Sequence, residues 1–320
     1  MSRVAVIGAG PSGLSAALWL KNLGLQPVVI EKAANTGGMQ NFNILDNDWV
    51  LGQQGSTGVG VAQVYHQHVE AHDIPLCLST QVVAIESLDA GFFLQLDGVD
   101  DISVDAVILA TGTRYVGHEI FADVEGFDNI KADNIVDGPY AFFDLDQLGD
   151  ISAHDEPIHI AIMGAGDNAF ENALMLLERG CRVSIIARTT PKAQKKFTDA
   201  VSRNTLFSLY EQAAITRFQQ HGDGLYIDVE NEAVHPLLIK RLHVLAGYQP
   251  NNDINDLFRQ CLGQSLVCDA AGFLVIDELG RTNIKGVYAA GDNSNPHFPS
   301  VVSAVASGAL AAKTISRDFS

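Results

Sequence analysis

Two short glycine-rich segments are the part of this sequence best suited to chemistry. Residues 8–13 read Gly-Ala-Gly-Pro-Ser-Gly, and residues 164–169 read Gly-Ala-Gly-Asp-Asn-Ala. In such a turn the first glycine permits a tight bend and the second lets the backbone approach a pyrophosphate. A small third residue lets the following helix pack closely on the strand. Because a helix N-terminus presents free N–H groups to phosphate, both segments predict dinucleotide-binding turns.

The elements around the first turn fit that chemistry. Residues 3–7 have the pattern of a buried strand, residues 14–20 have helical spacing, and residues 27–30 form a second strand that ends at Glu31. A carboxylate at this place accepts hydrogen bonds from ribose hydroxyls and repels a 2′-phosphate. The first site is therefore predicted to bind FAD or NAD rather than NADP.

The second turn has the same setting with a different last residue. Strand patterns cover residues 158–163 and 183–187, and a helix is predicted over 170–179 with Gly180 as its C-cap. The second strand ends at Arg188, and an arginine there can pair with a 2′-phosphate. This favours NADPH over NADH, and the alternative is an Arg188 that is solvated or stacks on adenine. The residues predicted to bind NAD(P) are Gly164, Gly166, Asp167, Asn168, Ala169 and Arg188.

Composition narrows the class of protein. The chain has 320 residues, of which 47% are hydrophobic, and this length suggests about two domains. Its net charge of −18 argues against a nucleic-acid partner, which would require basic patches. No apolar run approaches the ~18 residues of a membrane span, and the N-terminus lacks the pattern of a signal peptide. We therefore expect a cytoplasmic protein with no membrane partner.

The cysteines and histidines offer little support for a metal or redox site. The sequence has four cysteines, and none are spaced as Cys-x-x-Cys. Cys77 and Cys181 are expected to be buried in strands, and Cys261 and Cys268 to lie in a loop or edge segment. The histidines at 66, 68 and 72 fall in a helical stretch, where a solvated surface is expected and no metal is predicted.

Four further segments carry recognisable short motifs that follow one another along the chain. They are residues 36–40 (Thr-Gly-Gly-Met-Gln), 107–112 (Val-Ile-Leu-Ala-Thr-Gly), 247–251 (Gly-Tyr-Gln-Pro-Asn) and 286–292 (Gly-Val-Tyr-Ala-Ala-Gly-Asp). With both glycine turns, they make the chain resemble the small pyridine nucleotide-disulfide oxidoreductases of the thioredoxin reductase type over nearly its whole length. The resemblance implies an α/β fold with two Rossmann-like dinucleotide-binding domains, the second inserted into the first, and a homodimer.

The resemblance also implies domain bounds and FAD contacts. The FAD-binding domain would comprise residues 1–116 and 246–320, and the NAD(P)-binding domain residues 117–245. A helix over 301–315 would point its N-terminus at the flavin ring. The residues predicted to bind FAD are Gly8, Gly10, Pro11, Ser12, Gly13, Glu31, Lys32, Gly38, Met39, Gln40, Ala110, Thr111, Gly112, Gly291, Asp292 and Val301.

The chain departs from thioredoxin reductases at the redox centre. Those enzymes carry Cys-x-x-Cys-Asp-Gly before the second glycine turn. Here Asp137 and Gly138 match the last two residues, but residues 133–136 are Asp-Asn-Ile-Val, and residues 113–180 contain no cysteine. Dithiol–disulfide exchange requires a thiolate that attacks a disulfide. The thioredoxin reductase mechanism is thus excluded unless Cys261 and Cys268 act in another geometry.

These observations predict an FAD-dependent oxidoreductase that accepts hydride from NAD(P)H and passes electrons to an external acceptor. It is similar in this respect to thioredoxin reductase-like ferredoxin–NADP reductases, so the acceptor would be a ferredoxin, a flavodoxin-like protein or a small molecule. The alternatives are a flavin monooxygenase, a redox sensor, and a protein whose second site holds another nucleotide such as FAD. No catalytic residue is assigned, and Tyr115 and His297 near the expected ring are left without a role.

Overall fold

The computed structural model describes residues 2–44, 46–138, 156–230 and 236–319. The chain divides into two compact units, the first formed by Met1–Arg114 and Gln249–Ser320 and the second by Tyr115–Tyr248. Each unit contains a parallel β-sheet with helices packed against it. The predicted α/β fold with two Rossmann-like domains is confirmed.

The parallel sheet of the first unit has five strands. In sheet order they are β18 (Val287–Ala289), β7 (Ala106–Leu109), β1 (Arg3–Ile7), β2 (Gln26–Ile30) and β3 (Leu76–Cys77). Side chains alternate along β1: Val4 and Val6 pack with helix residues such as Leu14, while Ala5 packs on the opposite face with Phe258. Because both faces are covered, the strands are almost wholly apolar, as is typical of parallel sheets.

Helices and a small antiparallel sheet cover those faces. They are α1 (Pro11–Asn22), α2 (Gly58–Glu70), α5 (Asp253–Leu262), α6 (Val301–Asp318), β4 (Val82–Ser87), β5 (Phe92–Leu96) and β6 (Ile102–Val104). Helix α6 approaches α1 so closely that a Cβ on Gly308 would lie 2.1 Å from the carbonyl oxygen of Ser12. Glycine at this position therefore brings the α6 backbone against the first turn of α1.

The second unit repeats the arrangement. Its parallel sheet contains, in order, β12 (Phe207–Glu211), β11 (Arg182–Ala187), β10 (His159–Met163), β16 (Arg241–Val244) and β9 (Ile135–Asp137). The other elements are α3 (Asp167–Glu178), α4 (Lys195–Val201) and the antiparallel strands β13 (Ile215–His221), β14 (Gly224–Val229) and β15 (Leu237–Ile239). Strands β8 (Thr113–Tyr115) and β17 (Tyr248–Pro250) pair with each other.

Some local expectations need correction. Cys261 lies on helix α5 and not in a loop, because the apolar residues Ile254 and Phe258 bury one face of that helix. Cys77 is only half-buried, since β3 is an edge strand, whereas Cys181 is buried as expected. The second-turn helix begins three residues early, at Asp167. The last helix runs three residues past the expected end, to Asp318.

Neither a membrane span nor a metal cluster occurs among the described residues. No helix there is both long and apolar enough to cross a bilayer. No group of three or more His, Cys, Asp and Glu side chains in that part of the chain is arranged to hold a metal ion. The ring of His72 instead meets the carbonyl oxygen of His68 at 2.9 Å.

Candidate functional site

The first glycine turn, between β1 and α1, contains two closely packed glycines and one open one. A Cβ on Gly8, where φ is +108°, would lie 2.3 Å from the carbonyl oxygen of Ala110, and a Cβ on Gly13 would lie 1.9 Å from that of Gly8. Both positions therefore require glycine for packing. A Cβ on Gly10 would meet nothing within 4 Å. The backbone at Gly10 thus borders free space, as a turn that cradles a pyrophosphate must.

Three distant loops converge on this turn. A Cβ on Gly38 would lie 3.2 Å from the Cα of Gly10, and a Cβ on Gly291 would lie 2.8 Å from the Cβ of Ser12. Ala110, directly after β7, packs its carbonyl group against Gly8. The turn, the loop at 37–40, the end of β7 and the segment at 291–292 therefore form one region at the carboxyl end of the parallel sheet.

The other predicted FAD residues lie at the starts of helices, in a short 3-10 helix or along a neighbouring cleft. Pro11 is the first residue of α1, Val301 is the first residue of α6, and Met39 lies in a short 3-10 helix, Gly38–Phe42. Thr111 and Lys32 line a cleft of about 350 Å³. Gly112 follows Thr111 in the chain with a φ of +63°.

Three of the residues predicted to bind FAD carry a buried polar atom that has no partner within the described part of the chain. These atoms are Ser12 Oγ, Gln40 Oε1 and Asp292 Oδ1. A buried polar atom left without a hydrogen bond costs about 1–3 kcal/mol, so native proteins usually satisfy such atoms. All three belong to segments predicted to bind FAD. The hydroxyl, amide and phosphate groups of a bound FAD would supply hydrogen-bond partners of the kind that these atoms lack.

Asp292 has an unusual proton affinity. Burial raises the pKa of its carboxyl group to about 6, and a hydrogen bond from the backbone of Ser300 opposes the shift. The desolvation of a carboxylate disfavours its charged form, which accounts for the direction. A hydrogen bond donated to Oδ1 by a ligand hydroxyl group would stabilise the carboxylate and lower the pKa again.

Glu31 faces the same turn from the end of β2. Its Oε2 accepts a hydrogen bond of 2.7 Å from the backbone N–H of Ala9, and its Oε1 accepts one of 2.8 Å from that of Ala33. Glu31 also lines the 350 Å³ cleft together with Gly8 and Lys32. The carboxylate keeps lone pairs for a hydroxyl in the cleft, since two carboxylate oxygens offer about four acceptor sites.

Two asparagines that were not among the predicted site residues hold the loops in place. The buried Asn293 donates to Leu109 O at 3.0 Å and to Thr111 Oγ1 at 3.1 Å. Asn251 donates to Thr111 O at 2.7 Å. An asparagine next to an Asp or a Pro carries no sequence signal of a long-range hydrogen bond. The hydrogen bonds of Asn293 and Asn251 could therefore not be predicted from the sequence.

The second glycine turn opens a cleft of about 590 Å³ that lies wholly within the second unit. A Cβ on Gly164 would lie 2.3 Å from the carbonyl oxygen of Leu245, whereas a Cβ on Gly166 would meet nothing within 4 Å. This is the same pairing of a packed and an open glycine as in the first unit. The cleft therefore suits a pyrophosphate at the N-terminus of α3.

Every predicted NAD(P) residue lines this cleft. The turn contributes Gly164, Gly166, Asp167, Asn168 and Ala169, and Arg188 follows β11 at one end. Lys192 also lines it. The carboxylate of Asp167 is engaged by Gln194, whose backbone N and side-chain Nε2 donate to it at 2.7 and 2.8 Å. The positive charges of Arg188 and Lys192 favour an anionic ligand in this cleft.

The remaining candidate residues lie elsewhere. His297 is exposed in a loop. The carboxylate of Asp137, at the end of β9, lies 2.6 Å from His118 Nδ1. Cys261 is exposed, whereas Cys268 is partly buried and its Sγ lies 3.3 Å from Asn255 Nδ2. Both thiols are free in the structure.

Comparisons with known proteins agree on one family. A family model described as pyridine nucleotide-disulphide oxidoreductase matches residues 2–308. The NADH dehydrogenase of Ferdinandcohnia aciditolerans is 26% identical over 317 residues, which cover 97% of this chain and 56% of that protein. The thioredoxin reductase of Chlamydia pneumoniae is 24% identical over 323 residues, covering 97% of this chain and 96% of that one. The chain spans about half the length of the first of these relatives.

Solved structures show the same fold. The Lactococcus lactis thioredoxin reductase superposes with a TM-score of 0.81 at 21% identity, covering 100% of this chain and 99% of that one. The bacillithiol disulfide reductase of Bacillus cereus gives a TM-score of 0.74 at 18% identity, covering 99% of each chain. At such identities the likeness is one of fold. Together with the family match and the thioredoxin reductase relative, it confirms the resemblance to thioredoxin reductases.

Proposed function

Because this chain belongs to the pyridine nucleotide-disulphide oxidoreductase family, whose members use FAD and NAD(P)H, we propose that it transfers electrons from NADPH through FAD to an external acceptor. The observation that carries the proposal is the pair of open glycine turns. Gly10 and Gly166 each border free space at the start of a helix. Two dinucleotide sites in one chain suit electron transfer between two cofactors.

The first unit would hold the flavin. FAD, when bound, accepts hydride and passes on one or two electrons. The N–H groups at the start of α1 would bind its pyrophosphate, and Glu31 would accept a hydrogen bond from a ribose hydroxyl. The unpartnered oxygens of Ser12, Gln40 and Asp292 support this assignment. Each offers a buried hydrogen-bonding atom that no described residue satisfies.

The second unit would hold NADPH. Arg188 and Lys192 both line the cleft, and Arg188 directly follows β11, where the adenosine ribose would lie. A 2′-phosphate would pair with the Arg188 guanidinium, which has no ion pair among the described residues. Some relatives carry the name NADH dehydrogenase, which points to NADH as their donor. The choice of NADPH for this chain therefore depends on Arg188 and Lys192.

Electrons would leave the flavin without an internal dithiol. The chain has no Cys-x-x-Cys pair. Burial raises the pKa of Cys181 to about 11 and also raises the pKa values of Cys77 and Cys268. Because the thiolate is the reactive form, these three thiols are poor nucleophiles. The acceptor would therefore take electrons from the flavin itself, as a small redox protein or a small molecule can.

Anaerobic stopped-flow measurements of the visible flavin absorbance test the donor. We expect rapid bleaching of the FAD-loaded protein by NADPH and slower bleaching by NADH. Arg188→Ala should slow the reaction with NADPH and leave that with NADH unchanged. The matched control is Arg182→Ala, at the exposed opposite end of β11. Faster bleaching by NADH would overturn the choice of NADPH, and no bleaching by either nucleotide would overturn the proposed function.

A reductive titration tests whether FAD is the only redox group, with no redox-active pair of thiols. A protein whose only redox group is FAD takes up one two-electron equivalent of dithionite per flavin. A second equivalent, lost in a variant with Cys261 and Cys268 replaced by serine, would show that these two thiols form a redox pair after all.

A further inference from the structure

Two tyrosines form one wall of the cleft in the second unit. Tyr115, the last residue of β8, and Tyr248, the first of β17, have ring centroids 5.0 Å apart and ring planes inclined by 37°. Both residues line the 590 Å³ cleft. The two chain segments are also joined by a 3.0 Å hydrogen bond from Val116 N to Gly247 O. The wall is therefore built from two segments that are distant in sequence.

The wall is tied directly to the glycine turn. Asn168 Nδ2 donates a hydrogen bond of 2.5 Å to the hydroxyl oxygen of Tyr248. Asn168 is the second residue of α3, the helix whose N-terminus opens the cleft. On the other tyrosine, a Cβ on Gly138 would lie 2.8 Å from ring carbon Cδ2 of Tyr115. Both rings are thus held by neighbours in the same unit.

The order of strands gives the cleft a direction. Arg188 follows β11, the glycine turn follows the central strand β10, and Tyr248 follows β16 on the other side of β10. A dinucleotide crosses a parallel sheet at the strand where the connections diverge, with its pyrophosphate on the turn. If the adenosine half lies toward Arg188, the other half must extend toward the two tyrosines.

We propose that Tyr248 and Tyr115 form the surface against which the nicotinamide ring of the bound nucleotide stacks, and that Asn168 fixes the orientation of Tyr248. The inference rests on the proposed function, because it takes the second cleft as the nicotinamide nucleotide site. Aromatic faces stack on flat heterocycles in an offset manner. They also attract cations, and the oxidised nicotinamide ring is positively charged. The wall therefore favours NADP⁺ over NADPH.

Binding of two ligands that differ only in the nicotinamide riboside tests the proposal. The ligands are NADP⁺ and 2′-phospho-ADP-ribose, with NAD⁺ and ADP-ribose as a second pair, measured by calorimetry on the FAD-loaded protein. Tyr248→Leu and Tyr115→Leu should each weaken NADP⁺ binding about tenfold, the typical loss for one stacked ring. They should leave 2′-phospho-ADP-ribose binding within about twofold, since that ligand does not reach the wall.

Two further variants separate stacking from structural damage. Tyr248→Phe keeps the ring and removes the hydroxyl group that accepts the hydrogen bond from Asn168, so it should weaken NADP⁺ binding less than Tyr248→Leu does. Tyr226→Leu, on β14 of the same unit and not among the cleft residues, is the matched control and should change neither ligand. If the Tyr115 and Tyr248 variants weaken both ligands equally, or neither, the proposal is overturned. If wild-type protein binds no ligand of either pair, the proposed function itself is overturned, and with it the nicotinamide site that this inference requires.

Discussion

The backbone N–H of Ala9 lies 2.7 Å from Glu31 Oε2, so the middle of the first glycine turn is hydrogen-bonded to the residue that ends β2. The carbonyl oxygen of Ala9 in turn accepts a 2.8 Å bond from Gly37 N. Ala9 therefore connects the turn both to β2 and to the loop that carries Met39 and Gln40. Glu31 shapes the turn in addition to its proposed contact with a ribose.

Replacing Glu31 should weaken FAD binding by at least about tenfold, because hydrogen bonds to a charged carboxylate contribute about 1.5–3 kcal/mol each. Glu31→Ala is titrated as apoprotein with FAD, and the quenching of flavin fluorescence is followed. Glu70→Ala, at the exposed end of α2, is the control. Unchanged FAD affinity in Glu31→Ala would contradict the assignment of this carboxylate to the flavin site.

Gly10→Ala should abolish FAD binding without harming the apoprotein. The added methyl group meets no protein atom within 4 Å, and the φ of −73° at Gly10 suits alanine. It would instead occupy the space assigned to the pyrophosphate. The measurements are the flavin content of the purified protein and the thermal midpoint of the apoprotein. A Gly10→Ala protein that retains a full complement of FAD would show that the pyrophosphate lies elsewhere.

Gly166→Ala should have the complementary effect in the second unit. A Cβ there also meets nothing within 4 Å, and φ is −94°. We expect normal FAD content together with loss of flavin reduction by NADPH, since the methyl group blocks the nucleotide. Gly60→Ala, in helix α2 with its nearest neighbour at 3.6 Å, is the control for an added methyl group. Normal reduction kinetics in Gly166→Ala would count against this cleft as the donor site.

Asp292 should make the stability of the apoprotein depend on pH. Its folded-state pKa of about 6 lies above the ordinary value of 3.8. Between these two values the unfolded chain releases the proton and the folded chain keeps it. The free energy of unfolding should therefore fall as pH rises from about 4 to about 6, by at most about 3 kcal/mol.

Urea unfolding of apoprotein across that pH range measures the effect. Asp292→Asn should remove this part of the pH dependence, while Asp89→Asn, at an exposed position, should retain it. Equal pH profiles for wild type and Asp292→Asn would show that the carboxyl group is not desolvated in the folded apoprotein.

His66, on helix α2, should support the loop of residues 36–40, which carries predicted FAD contacts. Its Nδ1 lies 3.2 Å from Thr36 Oγ1, and Thr36 is only 6% exposed. His66→Ala removes this bond, worth about 1 kcal/mol, and should weaken FAD binding several-fold. His68→Ala, two residues later on the exposed side of the helix, is the matched control. If both variants bind FAD equally, the Thr36 contact does not position the loop.

The local patterns of the sequence were sufficient to predict the fold class. Each strand–turn–helix unit depends on neighbouring residues: a short continuous apolar run in β1, glycine at the tight bend of Gly8, and helical spacing after Pro11. Such short-range preferences can be recognised in the sequence itself. The same logic placed Glu31 and Arg188 at the ends of their strands, which is where the structure has them.

Helix α5 shows where local patterns were insufficient. The segment around Cys261 was expected to be a loop or edge, yet Ile254 and Phe258 bury one face of a helix there against the first sheet. The burial of an amphipathic helix depends on the surface that covers it. That surface comes from strands about 150 residues earlier in the chain.

The sequence by itself determined two glycine turns, their parallel sheets and the absence of a Cys-x-x-Cys pair. Only the tertiary structure decided what surrounds each turn. It brought Gly38 to Gly10, Gly291 to Ser12 and Tyr248 to Asn168. It also left Asp292 Oδ1 buried without a partner among the described residues. The physical reason is that turns and strands follow from the preferences of adjacent residues, whereas contacts between distant segments depend on how whole elements pack.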